Sequence, residues 1–290
     1  MKKRALVVMM LSSLALSGCI VSVGAHDFDH SQLQNQSKQL ELNSIDQIER
    51  LEINAGRGGL KVIGDDNISS ISVDANIASK DGKDYILSLT QEGNAAKLVA
   101  KTDGGIFENS HASVDLTVRV PSHLLLNVND GSGDISIVNI KNNVLVNDGS
   151  GSISVTKVKG SLEVNDGSGD IRLLNIGNNV TVNDGSGSIS LNVANGLVDI
   201  QDGSGDINVS AVTGNVTVND GSGSTSINNI TGNVRINDGS GDINVKQVVG
   251  KVRVADGSGS ITVDGADALV IESDGSGDVN TRNIRDSAAW

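Results

Sequence analysis

Asn147-Asp148-Gly149-Ser150-Gly151-Ser152-Ile153-Ser154-Val155-Thr156-Lys157-Val158-Lys159-Gly160-Ser161-Leu162-Glu163-Val164 is the stretch that decides the fold. The chain then begins the same plan again at Asn165-Asp166-Gly167-Ser168-Gly169. Asp-Gly-Ser-Gly occurs nine times, starting at Asp130, Asp148, Asp166, Asp184, Asp202, Asp220, Asp238, Asp256 and Asp274, always 18 residues apart. A fixed period with no insertion is the signature of a supersecondary unit that stacks on its own copies.

When each unit is numbered from the residue before Asp, apolar residues fall at positions 7, 9, 12, 16 and 18, here Ile153, Val155, Val158, Leu162 and Val164. A spacing of two puts each pair on one face of a strand. The unit therefore reads as two short strands and two turns. The predicted fold is all-β, a single-stranded β-solenoid (β-helix) of 18-residue coils with two strands per coil. A lone coil buries too little to offset the entropy of ordering it, so it needs neighbours above and below. Successive coils lie about 4.8 Å apart, so eight steps span about 38 Å.

Asp-Gly-Ser-Gly forms one of the turns. Its glycines reach φ > 0 without a Cβ penalty, and its Asp can accept a bond from a backbone N–H two residues on. The second turn lies near position 14, at Gly160, Gly196, Gly214, Gly232 and Gly250, with Asn142 and Asn178 in equivalent places. Gly and Asn are the residues that best tolerate a left-handed conformation, which predicts one there. The last full unit departs from the pattern. Glu272 takes position 18, while Leu269 and Ile271 form an apolar pair displaced by one, which predicts a strand that reverses its facing.

Upstream of the array the patterning is looser. Leu51 and Ile53, Leu60 and Val62, Ile71 and Val73, and Val114, Leu116, Val118 and Val120 form alternating runs. Residues 40–128 read as degenerate early coils that cap the solenoid, with a separate small β-domain as the alternative. The regular array runs over 129–290. A cap is expected because an open solenoid end leaves strand N–H and C=O groups unpaired.

Residues 1–18 read as a signal peptide. Lys2, Lys3 and Arg4 precede an apolar run from Ala5 to Leu16, too short for an ordinary membrane span, and Leu16-Ser17-Gly18-Cys19 follows. This resembles the bacterial lipoprotein box, which implies that Cys19 is lipidated and becomes the first mature residue. Cys19 is the only cysteine, so the chain can form no intrachain disulfide. Residue 20 is Ile rather than Asp, which implies release to the outer membrane in an envelope of Gram-negative type. Residues 19–39 read as the lipidated N-terminus and a polar tether. Its His26-Asp27-Phe28-Asp29-His30 cluster is read as solvated tether rather than as a metal site.

The chain has 35 acidic and 22 basic residues, and loss of the leader's three basic residues brings the net charge to −16. A duplex nucleic-acid partner is excluded by the lack of a basic patch. There are only four aromatic residues, Phe28, Tyr85, Phe107 and Trp290. A narrow core of stacked Val and Ile needs no more.

Stacking aligns the motif aspartates in one column. A second position, directly after the motif, reads Asp134, Ser152, Asp170, Ser188, Asp206, Ser224, Asp242, Ser260 and Asp278, alternating without exception. Alternation spaces the second acidic column at about 9.6 Å, twice the strand spacing, and reduces Coulomb repulsion. Growth by duplication of a 36-residue pair is equally compatible. These fourteen aspartates are candidate turn acceptors and weak cation ligands. Specific calcium binding is the less favoured reading. The Ca²⁺ β-roll nonapeptide places its Asp one residue later than Asp134 stands, and Ca²⁺ seeks six to eight oxygens. An enzyme is third in order. No long insertion builds a cleft, no Ser-His-Asp cluster is evident, and His111 and His123 read as surface or turn residues. No catalytic residue and no cofactor is assigned, calcium apart.

The leader, the irregular β-rich first part, the Val118-Arg119-Val120-Pro121 passage and the repeated Gly-Ser-Gly-Asp resemble the bacterial putative-adhesin family called domain of unknown function 4097, over roughly residues 40–285. The resemblance implies a β-helix, in some members attached to a membrane, and carries no catalytic residues. Together these readings point to a lipid-anchored, non-catalytic structural or adhesin-like rod of the cell envelope, at the outer membrane and facing periplasm or exterior. Its expected partners are the membrane, through the anchor, and an envelope protein, glycan or matrix component. A module for calcium or a cationic envelope ligand is the alternative.

Overall fold

The computed structural model describes residues 33–43, 45–79, 84–102 and 112–286. Cys19, the His26–His30 cluster, His111 and Trp290 lie outside them. The described residues form 24 strands and no helix, so the protein is an all-β solenoid. No helix among them is long and apolar enough to cross a membrane.

Each coil pairs with the next in parallel and at the repeat's own period: Val144 opposite Leu162, Val146 opposite Val164, Asp148 opposite Asp166. The same register recurs along the array, as in Val216 opposite Val234 and Ile243 opposite Ile261. The predicted core positions of the interior coils are inside, while Val279 in the final unit is exposed. Ile153, Val155, Val158, Leu162 and Val164 are at most 1% exposed. β-branched Val and Ile suit this pleated, one-sided burial. Polar residues between them face water, as the alternating burial of Leu162–Asp166 shows.

The left-handed residue does not fall at position 14. It falls at position 11, at Asn139, Lys157, Asn175, Val193, Ala211, Asn229 and Gln247, with φ between 54° and 65°. This explains why the core pattern steps by three, from position 9 to 12, instead of two. One residue turns the corner and returns position 12 to the interior. The glycines near position 14 serve close packing instead. A Cβ on Gly214 would stand 2.1 Å from the carbonyl oxygen of Gly196 in the coil before.

The N-terminal part contains β1 (Gln34–Leu42), β2 (Arg50–Ala55), β3 (Leu60–Asp65), β4 (Ile71–Ser79), β5 (Tyr85–Glu92), β6 (Ala95–Thr102) and β7 (Ser113–Pro121), followed by β8 (Leu125–Asn129) and β9 (Ile135–Ile140). β2 and β3 form a coil that stacks in parallel on β8 and β9, with Leu51 opposite Leu126 and Val62 opposite Val118 and Ile137. In sequence, β4 to β7 intervene between β3 and β8. Of these, β6 covers β2 and β7 covers β3, both in parallel. β4 then adds antiparallel to β7, β1 antiparallel to β4, and β5 antiparallel to β6. Antiparallel strands thus finish the ladder at this end. Leu40, Ile71, Val73, Ile77 and Leu98 extend the core beneath them.

At the other end the strand Ile261–Ser273 replaces the usual strand–turn–strand. Gly265 holds the corner with φ 89°. Val252 pairs with Leu269 and Val254 with Ile271, and the register then shifts so that Ala255 pairs with Ser273. The predicted reversal of facing is therefore wrong. The coil is one residue short in its turn, the apolar pair still points inward, and a bulge at Glu272 recovers the period. Glu272 is thereby turned outward to Arg253 (2.5 Å) and Arg235 (3.7 Å).

Candidate functional site: two aspartate columns

Strand phase sets where the motif aspartates point. Val144 and Val146 face the core, and Asp148 is two residues further along the same strand. It therefore faces inward too. The same holds in every coil except the last. Asp130, Asp148, Asp166, Asp184, Asp202, Asp220, Asp238 and Asp256 are 2–9% exposed, while Asp274, with no full coil above it, is exposed.

One oxygen of each buried carboxylate is engaged. Oδ1 of Asp148 accepts from the N–H of Gly149 (2.7 Å) and of Ser150 (3.3 Å). Oδ1 of Asp184, Asp202, Asp220, Asp238 and Asp256 accepts from the Ser N–H two residues on at 3.0–3.1 Å. Asp166 does so at 3.2 Å, and Asp130 accepts from Gly131 at 2.8 Å. The turn backbones also ladder from coil to coil, as in Gly167 N–H to Asp148 C=O (3.2 Å) and Gly151 N–H to Ser168 C=O (3.0 Å). The second oxygen, Oδ2, is buried and has no partner in all eight.

A carboxylate withdrawn from water holds its proton more tightly. Burial pushes Asp130 up to about 7, and Asp148, Asp184 and Asp220 up to about 6. Neighbouring carboxylates add to the rise, while the backbone N–H bonds oppose it. Asp166, Asp202, Asp238 and Asp256 are raised as well, again by burial first.

The second column lies on the surface. Oδ1 of Asp134, Asp170, Asp206 and Asp242 accepts the backbone N–H of Ser152, Ser188, Ser224 and Ser260 in the following coil, each at 3.0 Å. This gives the Asp/Ser alternation a bonding role. Each Asp reaches one coil forward to an amide, and the intervening Ser keeps successive carboxylates two coils apart. Asp278 sits exposed just before the final strand.

Two further ladders escaped the sequence reading. Asn147, Asn165 and Asn183 each donate Nδ2–H to the Oδ1 of the Asn 18 residues earlier, at 2.7–2.9 Å, and Asn237 does the same to Asn219. At position 15, Asn143, Asn179, Asn215 and Asn233 accept the backbone N–H of the equivalent residue one coil later, at 2.8–2.9 Å. The signal was the recurrence of Asn itself at an 18-residue interval.

Among the described residues no group of three or more His, Cys, Asp or Glu is arranged to hold a metal ion. The described surface carries open depressions, such as one of about 350 Å³ between Asn127, Leu145, Glu163 and Thr181 on the outer face of the second strand stack. His123 is exposed in a turn, where its carbonyl accepts from Asn142. Both columns align the backbones of successive coils, and the inner one also holds carboxylate oxygens away from water.

Such a parallel stack, with Gly-Ser-Gly turns in register and polar side-chain ladders on its outer face, defines a β-solenoid of repeated coils. The chain belongs to the Toastrack DUF4097 family, whose model matches residues 100–219 and 162–288. No curated protein matches it. Three solved structures are similar, each aligned over 87% of this chain. They are a "putative cell adhesion protein" of Clostridium sporogenes (12% identity, 99% of that chain, TM-score 0.28), a "putative adhesin" of Parabacteroides merdae (12%, 97%, 0.45) and a "putative adhesin" of Bacteroides fragilis (13%, 97%, 0.36). At these TM-scores their chain paths superimpose poorly on this one.

Proposed function

We propose that the protein is a lipid-anchored, non-catalytic rod of the bacterial cell envelope with a structural or adhesive role, held through Cys19 at the outer membrane. The observation that carries this reading is the parallel ladder that runs coil on coil from β8 to the last strand, Val279–Asp286, in register except at the Glu272 bulge. Each coil is hydrogen-bonded to the next along both strand stacks and through the Asp-Gly-Ser-Gly turns. Such a body is stiff and presents the same surface groups at every coil. The groups it presents are the outer Asp134–Asp278 column and the Ser, Thr and Asn side chains of the strand faces. The motif aspartates from Asp130 to Asp256 are withdrawn from that surface.

Two acyl chains on Cys19 would give stable membrane attachment, at about 0.8 kcal/mol per buried CH₂. The test is metabolic labelling with a fatty-acid analogue and membrane fractionation of the wild-type chain and Cys19→Ala. Label and membrane association are expected in the first and lost in the second. Equal label in both would end the anchoring reading. Adhesion is tested by comparing cells with and without the protein on immobilised glycans and matrix proteins. A second reading, a module for calcium or a cationic envelope ligand, is favoured by the outer column, where only one oxygen of each Asp bonds an amide. A calcium titration that stabilises the wild-type chain saturably, but not Asp134→Asn/Asp170→Asn/Asp206→Asn, would support it.

A further inference from the structure

Eight identical carboxylate oxygens are buried one above another without a partner, and the mechanics of the turn do not require them. Oδ1 alone satisfies the turn amides, so an Oδ2 deprived of water has no structural task in the ionised state. The repeat itself supplies no counter-charge along the column. Positions 1–7 of all nine units contain no Lys, Arg or His. The inward side chains beside the column are aliphatic, apart from Thr225. The charged groups that face it are other carboxylates: the column neighbours, such as Asp166 for Asp148 and Asp202 for Asp184, and outer Asp134 for Asp148 and Asp242 and Asp274 for Asp256. At the N-terminal end, Arg57 lies in the turn that bridges to Ser132, next to the Asp130 turn. In-register pairing holds Asp148, Asp166, Asp184, Asp202, Asp220, Asp238 and Asp256 at one strand spacing.

We propose that this interior column, Asp130 to Asp256 at 18-residue intervals, is a proton-binding site of the folded rod, and that the rod is therefore more stable in mild acid than at alkaline pH. A proton on Oδ2 removes the charge that burial penalises and leaves Oδ1 free to accept from the turn amides. Unfolding returns each carboxyl to water, where it releases the proton above the ordinary carboxylate range. The sign follows from linkage. These groups hold their protons more tightly folded than unfolded. Their stabilisation is complete below the unfolded value near 3.8 and is lost as pH rises through about 6 to 7. The opposite trend is usual for carboxylates that are ion-paired in the native state. The site does not depend on the anchoring or adhesive reading.

The experiment measures thermal unfolding between pH 5 and pH 8 for three chains: wild type, Asp166→Asn/Asp184→Asn/Asp202→Asn, and the outer-column control Asp134→Asn/Asp170→Asn/Asp206→Asn. Both variants remove three charges. Asn keeps an Oδ1 acceptor and places an uncharged group where Oδ2 stood. The wild-type Tm should fall by roughly 5–10 °C from pH 5 to pH 8. The inner variant should hold its Tm at pH 8 and show a clearly smaller slope, in keeping with three of the eight carboxyls removed, while the outer variant keeps the full slope. An inner variant with the full slope, or an outer variant that loses as much, overturns the proposal. If the inner variant does not fold, the infrared C=O band of protonated carboxyl in the wild-type chain at pH 5.5 decides. Its presence in the folded state and loss on unfolding is expected, and its absence from the folded state refutes the site. Saturable stabilisation by sodium or calcium at pH 8 that the inner variant abolishes would also overturn it, by assigning the column to a metal cation.

Discussion

On one side of every coil the chain turns through Asp-Gly-Ser-Gly, nine times without change. On the other side it turns through Lys141-Asn142-Asn143, Lys159-Gly160-Ser161, Gly177-Asn178-Asn179, Asn195-Gly196-Leu197, Thr213-Gly214-Asn215 and Val249-Gly250-Lys251. Both turns stack on themselves at the same spacing, so stacking alone does not demand an invariant sequence. The strict turn differs in two ways. Its second glycine has φ between 130° and 145° in seven successive interior coils, from Gly151 to Gly259, and a Cβ there would stand 1.7–2.1 Å from the carbonyl oxygen of the coil before. Its Asp also points into the core. The loose turn points outward, even to the extent of exposing Leu197 and Val249. Its left-handed residue is displaced to position 11, where the side chain is free to vary.

The largest effect should come from putting the same kind of change into each turn. Gly205→Ala meets both a forbidden φ and the Gly187 carbonyl at 1.9 Å, and should cost about 3 kcal/mol. Gly214→Asn also meets a close carbonyl, but Asn142 and Asn178 already occupy that position with ordinary φ. It should cost less than half as much, read as the difference in chemical denaturation midpoints. Equal costs would remove the distinction between the turns.

Next in size is Thr225, which takes the place of Ile at position 7, just after the strict turn. Its Oγ1 is fully buried and unpartnered. Thr225→Val replaces the hydroxyl with a methyl group and should stabilise by about 1–2 kcal/mol. A loss of stability there would mean that the strict side needs a polar atom at that point.

The smallest effect should come from the loose side. Val193 is a β-branched residue at φ 65°, where other coils place Asn139, Asn175 and Asn229. Val193→Asn should stabilise by about 1 kcal/mol, seen as a rise in Tm without change in the circular dichroism of the folded chain. No rise would show that the corner at position 11 is indifferent to side-chain shape.

Much of the inward column was legible in advance. Val144, Val146 and Asp148 share a parity, and strand alternation carried two residues further puts the carboxylate inside. The turn chemistry of Asp-Gly-Ser-Gly drew attention to the engaged oxygen and away from that count. The outer Asp134–Ser152 bond was less accessible, because it joins two coils and depends on how far a side chain leans along the stack. The corner at position 11 was signalled only in part, by Asn139, Asn175 and Asn229. Lys157, Ala211 and Gln247 give no hint of a left-handed backbone, which the ladder above and below imposes. The one-residue deletion in the Leu269–Ile271 coil looked like a reversed strand, since the bulge at Glu272 that absorbs it is a property of pairing.

The amino-acid sequence by itself determined the coil length, the parallel register and the identity of the core. An 18-residue period with aliphatic residues at fixed phases has one economical way to bury them. Only the tertiary structure decided that the β2–β3 coil reaches past some sixty residues to stack on β8 and β9, and that eight carboxylates share a dry column. The first depends on which distant edge remains free to pair. The second depends on how completely neighbouring coils exclude water, a quantity that exists only once the stack is closed.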